Sequence, residues 1–162
     1  ACAHGSSNNK INAGNHGHAG CFSFHHSKVL TSGEGGVITT NDKKLFEKFK
    51  RIRAIGLDRS INNWESFNIG TNAKMSEITA ILALLHTENA EKIIEERQAI
   101  ASYYNDNINF GKIFQKFELP KNSNSSFYKY YIRVKESKHQ CNFTKYALDN
   151  NIELPPLTYS YT

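Results

Sequence analysis

The stretch from Ser23 to Gly36 constrains this chain more than any other. Ser23-Phe-His-His-Ser-Lys28 follows an apolar, β-like run (Cys21, Phe22, Phe24). Thr31-Ser-Gly-Glu-Gly-Gly36 then leads into a second such run, Val37-Ile38-Thr39-Thr40. One lysine is thereby set between a strand end and a glycine-rich turn. Glycine lacks a Cβ, so a turn of this kind lets the backbone approach a bound group closely. A lysine used as a nucleophile must first lose its proton. Bringing its pKa from about 10.4 to about 7.4 takes roughly 4 kcal/mol of differential stabilisation. Burial or a neighbouring cation is the usual source.

The spacing holds over the whole stretch, as Gly20-Cys-Phe-Ser-Phe-His-His-Ser-Lys28 and Gly33-Glu-Gly-Gly36. It resembles the signature of the DegT/DnrJ/EryC1/StrS sugar aminotransferases, which use pyridoxal 5'-phosphate. Three more segments resemble the same family: Ala3-His4-Gly5, Gly70-Thr-Asn-Ala-Lys-Met-Ser-Glu77, and Glu88 to Tyr104 with Arg97 and the Tyr103-Tyr104 pair. The resemblance covers nearly the whole chain. It implies that Lys28 holds the cofactor as an imine and that Ser23 bonds its phosphate. Asn72 reaches the phosphate in the partner subunit, and His25 forms a wall of the substrate site. The activity implied is transfer of an amino group from an amino acid, with glutamate as the expected donor, to a nucleotide-linked keto-sugar. The working unit implied is a homodimer with a shared active site.

The fold implied is the α/β architecture of fold-type I transferases. Residues 1–87 would be the later part of the cofactor-binding large domain, with a mostly parallel sheet. Residues 88–162 would be a long helix and part of a smaller C-terminal α/β domain. Family members are more than twice as long, so the chain reads as an internal segment of a subunit. A non-catalytic fragment that keeps only the dimer surface is the alternative. Within the resemblance, Cys2 stands where Gln or His is common near the cofactor ring hydroxyl. His26 replaces a common proline, and Thr71 and Lys74 replace Tyr and Arg around Asn72. Retention of Lys28 argues against the family's dehydratase branch, which replaces that lysine.

Composition narrows the other classes. A chain of 162 residues can bury one core and part of a second. No run approaches the roughly 20 apolar residues of a membrane helix, and the polar, glycine-rich first residues do not read as a signal peptide. Three cysteines, Cys2, Cys21 and Cys141, are odd in number and widely spaced, which predicts reduced thiols and a cytoplasmic protein. The net charge of +5 is scattered among acids, so it reads as a solvated surface with no nucleic-acid partner. His4, His16, His18, Cys21, His25 and His26 crowd the first part of the chain, and His and Cys are preferred zinc ligands. Their spacing matches no closed zinc pattern, so no metal site is expected. Gly33-Glu-Gly-Gly36 lacks the Lys-Ser/Thr of a nucleotide P-loop.

The apolar periodicity predicts strands near 20–24 and 36–40, and an amphipathic helix over 43–53 packed on the sheet with Asn41-Asp42 as its cap. A loop is predicted over 1–19, with a short helix near 1–5. A connection over 54–71 would be anchored by Trp64 and Phe67. A helix is predicted from about Met75 to Thr87, and either it continues or a second begins near Asn89 and runs to about Asn107. Pro120 to Ser126 reads as a polar linker. Phe127 to Lys135 reads as a half-buried aromatic strand rather than a base-stacking face, Asn142 to Asn150 as a short helix, and Ile152 to Pro156 as an extended segment.

Overall fold

The structure is a computed structural model and describes residues 1–58 and 66–154. Trp64 and Pro156 lie outside the described residues. In chain order the elements are β1 (Ser7–Asn8), β2 (Ile11–Asn12), β3 (Gly20–Ser23), β4 (Gly36–Thr39), α1 (Lys43–Arg53), α2 (Glu77–Glu88) and α3 (Ala90–Asn107). They continue with β5 (Phe114–Lys116), β6 (Ser123–Asn124), β7 (Ile132–Val134) and α4 (Ser137–Asp149). They form two compact units, residues 1–102 with 119–129, and residues 103–118 with 130–162. No helix among the described residues is long and apolar enough to cross a membrane.

Every strand pair among the described residues is antiparallel: β1 with β2 and β6, β3 with β4, and β5 with β7. A mostly parallel sheet is therefore not found within them. Parallel neighbours need a long crossover, usually a helix, and the β1–β2 and β3–β4 connections carry none. Asn9 (φ 49°) and Lys10 (φ 64°) form the two-residue β1–β2 turn, with the positive φ pair that matches hairpin twist. The first residues are thus not simply a loop, and Ala1–Gly5 is not helical. Nor is 120–126 only a linker, since β6 completes this small sheet.

Helices α1 and α2 start where their sequences provide a cap. Asp42 caps α1, its Oδ1 accepting from the Lys44 and Leu45 amides at 2.7 and 3.2 Å. Lys50, Arg51 and Arg53 fill the last turn of α1, where cations suit the helix dipole. No residue of α1 is buried, so it does not pack on the sheet as its pattern predicts. Phe67 is 45% exposed and is not an anchor. Ser76 caps α2 through its hydroxyl. Asn72 bridges Ala54 in an antiparallel pair.

The core of the first unit is formed by Phe24, Val29 and Leu30. Ala83 of α2, Ala90, Ile93 and Ile94 of α3, and Tyr128 pack against it. All three core residues lie in the irregular segment between β3 and β4. Full burial of such side chains stabilises by about 1.5–3 kcal/mol each. In the second unit, the Phe114 and Phe143 rings meet edge to face at 5.1 Å, and Ala147 is buried. The strand predicted over 127–135 is reduced there to Ile132–Val134. Phe127 has φ 46°, a left-handed conformation that an extended run does not contain.

Candidate active site

Lys28 sits in the turn that follows β3 and is held from both sides. Phe24, Val29 and Leu30 are 5%, 5% and 6% exposed, so the backbone around the lysine is fixed by buried neighbours while its own side chain remains accessible. Hydrogen bonds close the segment. The Lys28 amide donates to His25 O at 2.9 Å, the Ser32 amide to Phe24 O at 2.9 Å, and the Phe24 amide to Gly35 O at 2.8 Å. The Ser32 hydroxyl, 2% exposed, donates to Glu34 O at 2.7 Å. Gly35 has φ 138°, and a Cβ there would meet Met75 Cε at 2.6 Å. The φ requires glycine, whereas the Met75 contact is with the far end of a flexible side chain.

Two groups meet at the lysine. Its Nζ donates to Cys2 Sγ at 3.3 Å and stands 4.9 Å from the centre of the Tyr128 ring. The contact with Cys2 raises the Lys28 pKa, opposed by partial desolvation and helped by Tyr128. Tyr128 moves the other way: a hydrogen bond with Ser27 lowers its pKa against desolvation, and the Lys28 charge adds to the lowering. A nucleophilic role requires a lowered lysine pKa. The structure instead stabilises the ammonium form, because no cation adjoins Nζ among these contacts and an electron-rich sulfur and ring do.

Tyr128 is itself held by α3. Arg97 Nε donates to Phe127 O at 3.1 Å and Nη2 to Tyr128 O at 2.9 Å. The guanidinium fork spans two successive carbonyls, which a lysine cannot copy. Ser6 and Ser126 add a hydroxyl contact at 3.1 Å, and the Ser126 amide donates to Ser6 Oγ at 3.1 Å. The strained Phe127 is thus fixed between two clamps.

Ser23, His25 and Lys28 are brought together on β3 and its turn. Ser23 Oγ accepts from the His25 amide at 3.3 Å, which leaves the hydroxyl proton free to donate elsewhere. The His25 ring has Nδ1 at 2.9 Å from Ser27 Oγ and Nε2 at 3.7 Å from Glu34 Oε1. Asn72 is exposed and tied to the end of α1 through Ala54, and no described contact joins it to Lys28. His4 is buried between Phe22 and Phe24, with ring centroids at 5.1 and 5.4 Å. Both its nitrogens lack a hydrogen-bond partner among the described residues. Burial lowers its pKa, and the charge of Lys28 adds to this. Tyr128 carries no sequence signal of its own, because it hides in an aromatic run. Arg97 stands out within the Glu88–Tyr104 segment, but its bonds to the Phe127 and Tyr128 carbonyls do not.

The DegT/DnrJ/EryC1/StrS aminotransferase family matches residues 1–157. The chain belongs to that family. The GDP-perosamine synthase of Escherichia coli O157:H7 is 30% identical over 149 residues, covering 90% of this chain and 39% of that protein. A UDP-4-amino-4,6-dideoxy-N-acetyl-beta-L-altrosamine transaminase of Helicobacter pylori is 37% identical over 87 residues, 53% of this chain and 23% of its own length. The chain thus spans well under half of these curated relatives. Among solved structures, an E. coli GDP-4-keto-6-deoxy-D-mannose-3-dehydratase with bound hydrated PLP superposes with a TM-score of 0.83. It is 21% identical and is matched over 97% of this chain and 45% of its own. That likeness shows the fold, the α/β fold of fold-type I PLP enzymes.

Proposed function

We propose that the full-length protein is a pyridoxal phosphate-dependent aminotransferase that converts a nucleotide-linked keto-sugar to an amino-sugar, with glutamate as donor. The observation that carries this reading is Lys28, accessible at Nζ on a turn pinned by three buried side chains, inside a family match over residues 1–157. The GDP- and UDP-sugar relatives support the substrate class.

The residues present suit the cofactor. Ser23 keeps a free hydroxyl proton for a phosphate oxygen, and Lys28 follows it on the same hydrogen-bonded turn. When bound, the cofactor supplies an electron sink. The chain's part is to hold it and to move protons. Lys28 would hold the cofactor through a neutral Nζ, so it must first release the proton that Cys2 and Tyr128 stabilise. With Nζ free again, Lys28 would move a proton at the substrate carbon as general base and acid. His25 lines the substrate side of the turn.

The remaining roles concern a second subunit. Asn72 is exposed and away from Lys28's contacts, which supports its being offered to the partner's phosphate. Ile78, Ile81, Leu82, Leu84 and Leu85 of α2 are 43–75% exposed, which supports a homodimer surface there.

The test is borohydride reduction of the full-length protein followed by peptide mapping. A reduced cofactor adduct on Lys28, absent in Lys28→Ala together with all turnover, is the expected result; turnover by Lys28→Ala would overturn the assignment. The pH dependence adds a sign. Cys2 raises the Lys28 pKa, so Cys2→Ala should move the midpoint for cofactor attachment to lower pH. An unmoved midpoint would remove Cys2 from the site.

A further inference from the structure

The histidines and cysteines of the first residues carry no zinc spacing in sequence, but folding selects two of them and adds a carboxylate. The ligand atoms of His25, His26 and Glu34 all lie within 4.8 Å of one another. The two imidazole rings are 3.9 Å apart at their centroids, and His25 Nε2 is 3.7 Å from Glu34 Oε1. His4 is excluded by burial, and His16 Nε2 is engaged with Ile11 O at 3.1 Å.

We propose that His25, His26 and Glu34 form a three-ligand site for a zinc-class divalent cation on the turn that carries Lys28. Bonds of about 2.0–2.2 Å in tetrahedral geometry place ligand atoms roughly 3.3–3.6 Å apart. The His25–Glu34 pair is already close to that spacing. His26 and Glu34 are exposed, so rotamer changes can close the remainder without moving the backbone. Two imidazoles and one carboxylate suit zinc and its neighbours rather than calcium or magnesium, which take oxygen ligands. Three protein ligands leave a fourth position for water or a substrate oxygen.

Ser27 supplies the outer support. Its hydroxyl stands 2.9 Å from His25 Nδ1 and can accept Nδ1–H, which frees Nε2 for the metal. The Ser27 amide also donates to Nδ1, at 3.2 Å, and that bond is lost when the proton moves to Nδ1. The site is therefore one of moderate affinity, suited to sensing rather than permanent retention. An occupied site draws His25 onto the metal and away from substrate. Only this inhibitory effect rests on the aminotransferase reading; metal binding does not.

The experiment is titration of the full-length protein with Co2+, followed by its visible spectrum, and with Zn2+ by calorimetry, before and after cofactor removal. One equivalent with tetrahedral Co2+ bands is expected. Binding should be lost in His26→Ala and in Glu34→Gln, weakened about tenfold in Ser27→Ala, and unchanged in Lys28→Ala. No bound equivalent, or one that survives both His26→Ala and Glu34→Gln, overturns the site. If the protein is an active transaminase, Zn2+ should lower its turnover and His26→Ala should abolish that inhibition. Zn2+-insensitive turnover at saturating metal overturns the inhibitory effect alone.

Discussion

The Lys28 turn and helix α2 differ in a way that reverses intuition. The turn has almost no regular structure, yet it contributes Phe24, Val29 and Leu30, the buried cluster of its unit. Helix α2 is regular, well capped and rich in aliphatic residues, yet buries none of them fully. Irregular backbone is held by what its side chains bury and by hydrogen bonds that close it on itself. A helix satisfies its own backbone and can carry an apolar face that waits for a partner. Rigidity here follows burial, and the candidate nucleophile sits beside the buried cluster of its unit.

Substitution tests that difference directly. Phe24→Ala should cost about 3–5 kcal/mol of stability in the full-length protein, measured by urea unfolding, because it opens a cavity beneath the turn. Leu85→Ser, on the exposed face of α2, should change the stability of an isolated subunit by about 0.5 kcal/mol or less and weaken self-association. Equal losses at the two sites would break the comparison.

Arg97→Ala sharpens it. The substitution leaves the Phe127 and Tyr128 carbonyls without their charged donor, and should cost about 2–3 kcal/mol. Its specific mark is a lowered midpoint for Lys28 reactivity, since Tyr128 helps stabilise the ammonium form. A stability loss with no change at Lys28 would make Arg97 structural only.

The smallest effect belongs to His4, which lies under the same turn. Its folded pKa is depressed, chiefly by burial. Below the ordinary value of about 6.5 the unfolded chain takes up a proton that the folded chain refuses. This contribution to stability is present above that value and lost as pH falls through the folded one. His4→Leu should therefore lose less stability than the parent between about pH 7 and about pH 5, and stay within about 1 kcal/mol of it at neutral pH, having no unpaired ring nitrogens to bury. Identical losses would show that His4 takes no part in the acid response.

Much of this was legible from the chain, unevenly. The helices over 43–53 and 90–107 follow from apolar periodicity and caps, which are local signals. The two strands flanking the Lys28 turn were also readable, because their alternation is local. The residues 127–131 were misread as strand: Arg97 and Ser6 impose their conformation from distant parts of the chain, and β-like composition carries no trace of that. The metal trio was hidden for the same reason. Glu34 comes within reach of His25 and His26 only when the turn closes. Lys28 was found through its motif, whereas Cys2 and Tyr128 were recognised as its neighbours only in three dimensions.

The small sheet has a consequence for the order in which this region is made. Ser6 and Ser126, at one edge of that sheet, are 120 residues apart in sequence. Closing a loop of that length costs roughly 4 kcal/mol of chain entropy, and no local contact offsets it beforehand. Lys28 leaves the ribosome before Tyr128, which cannot reach it until the residues around β6 have also been synthesised. Over that interval a nascent chain carries the lysine with one of its neighbours missing. Contacts this distant in sequence slow folding, so the Lys28–Tyr128 contact should form after the local turn around Lys28 has closed.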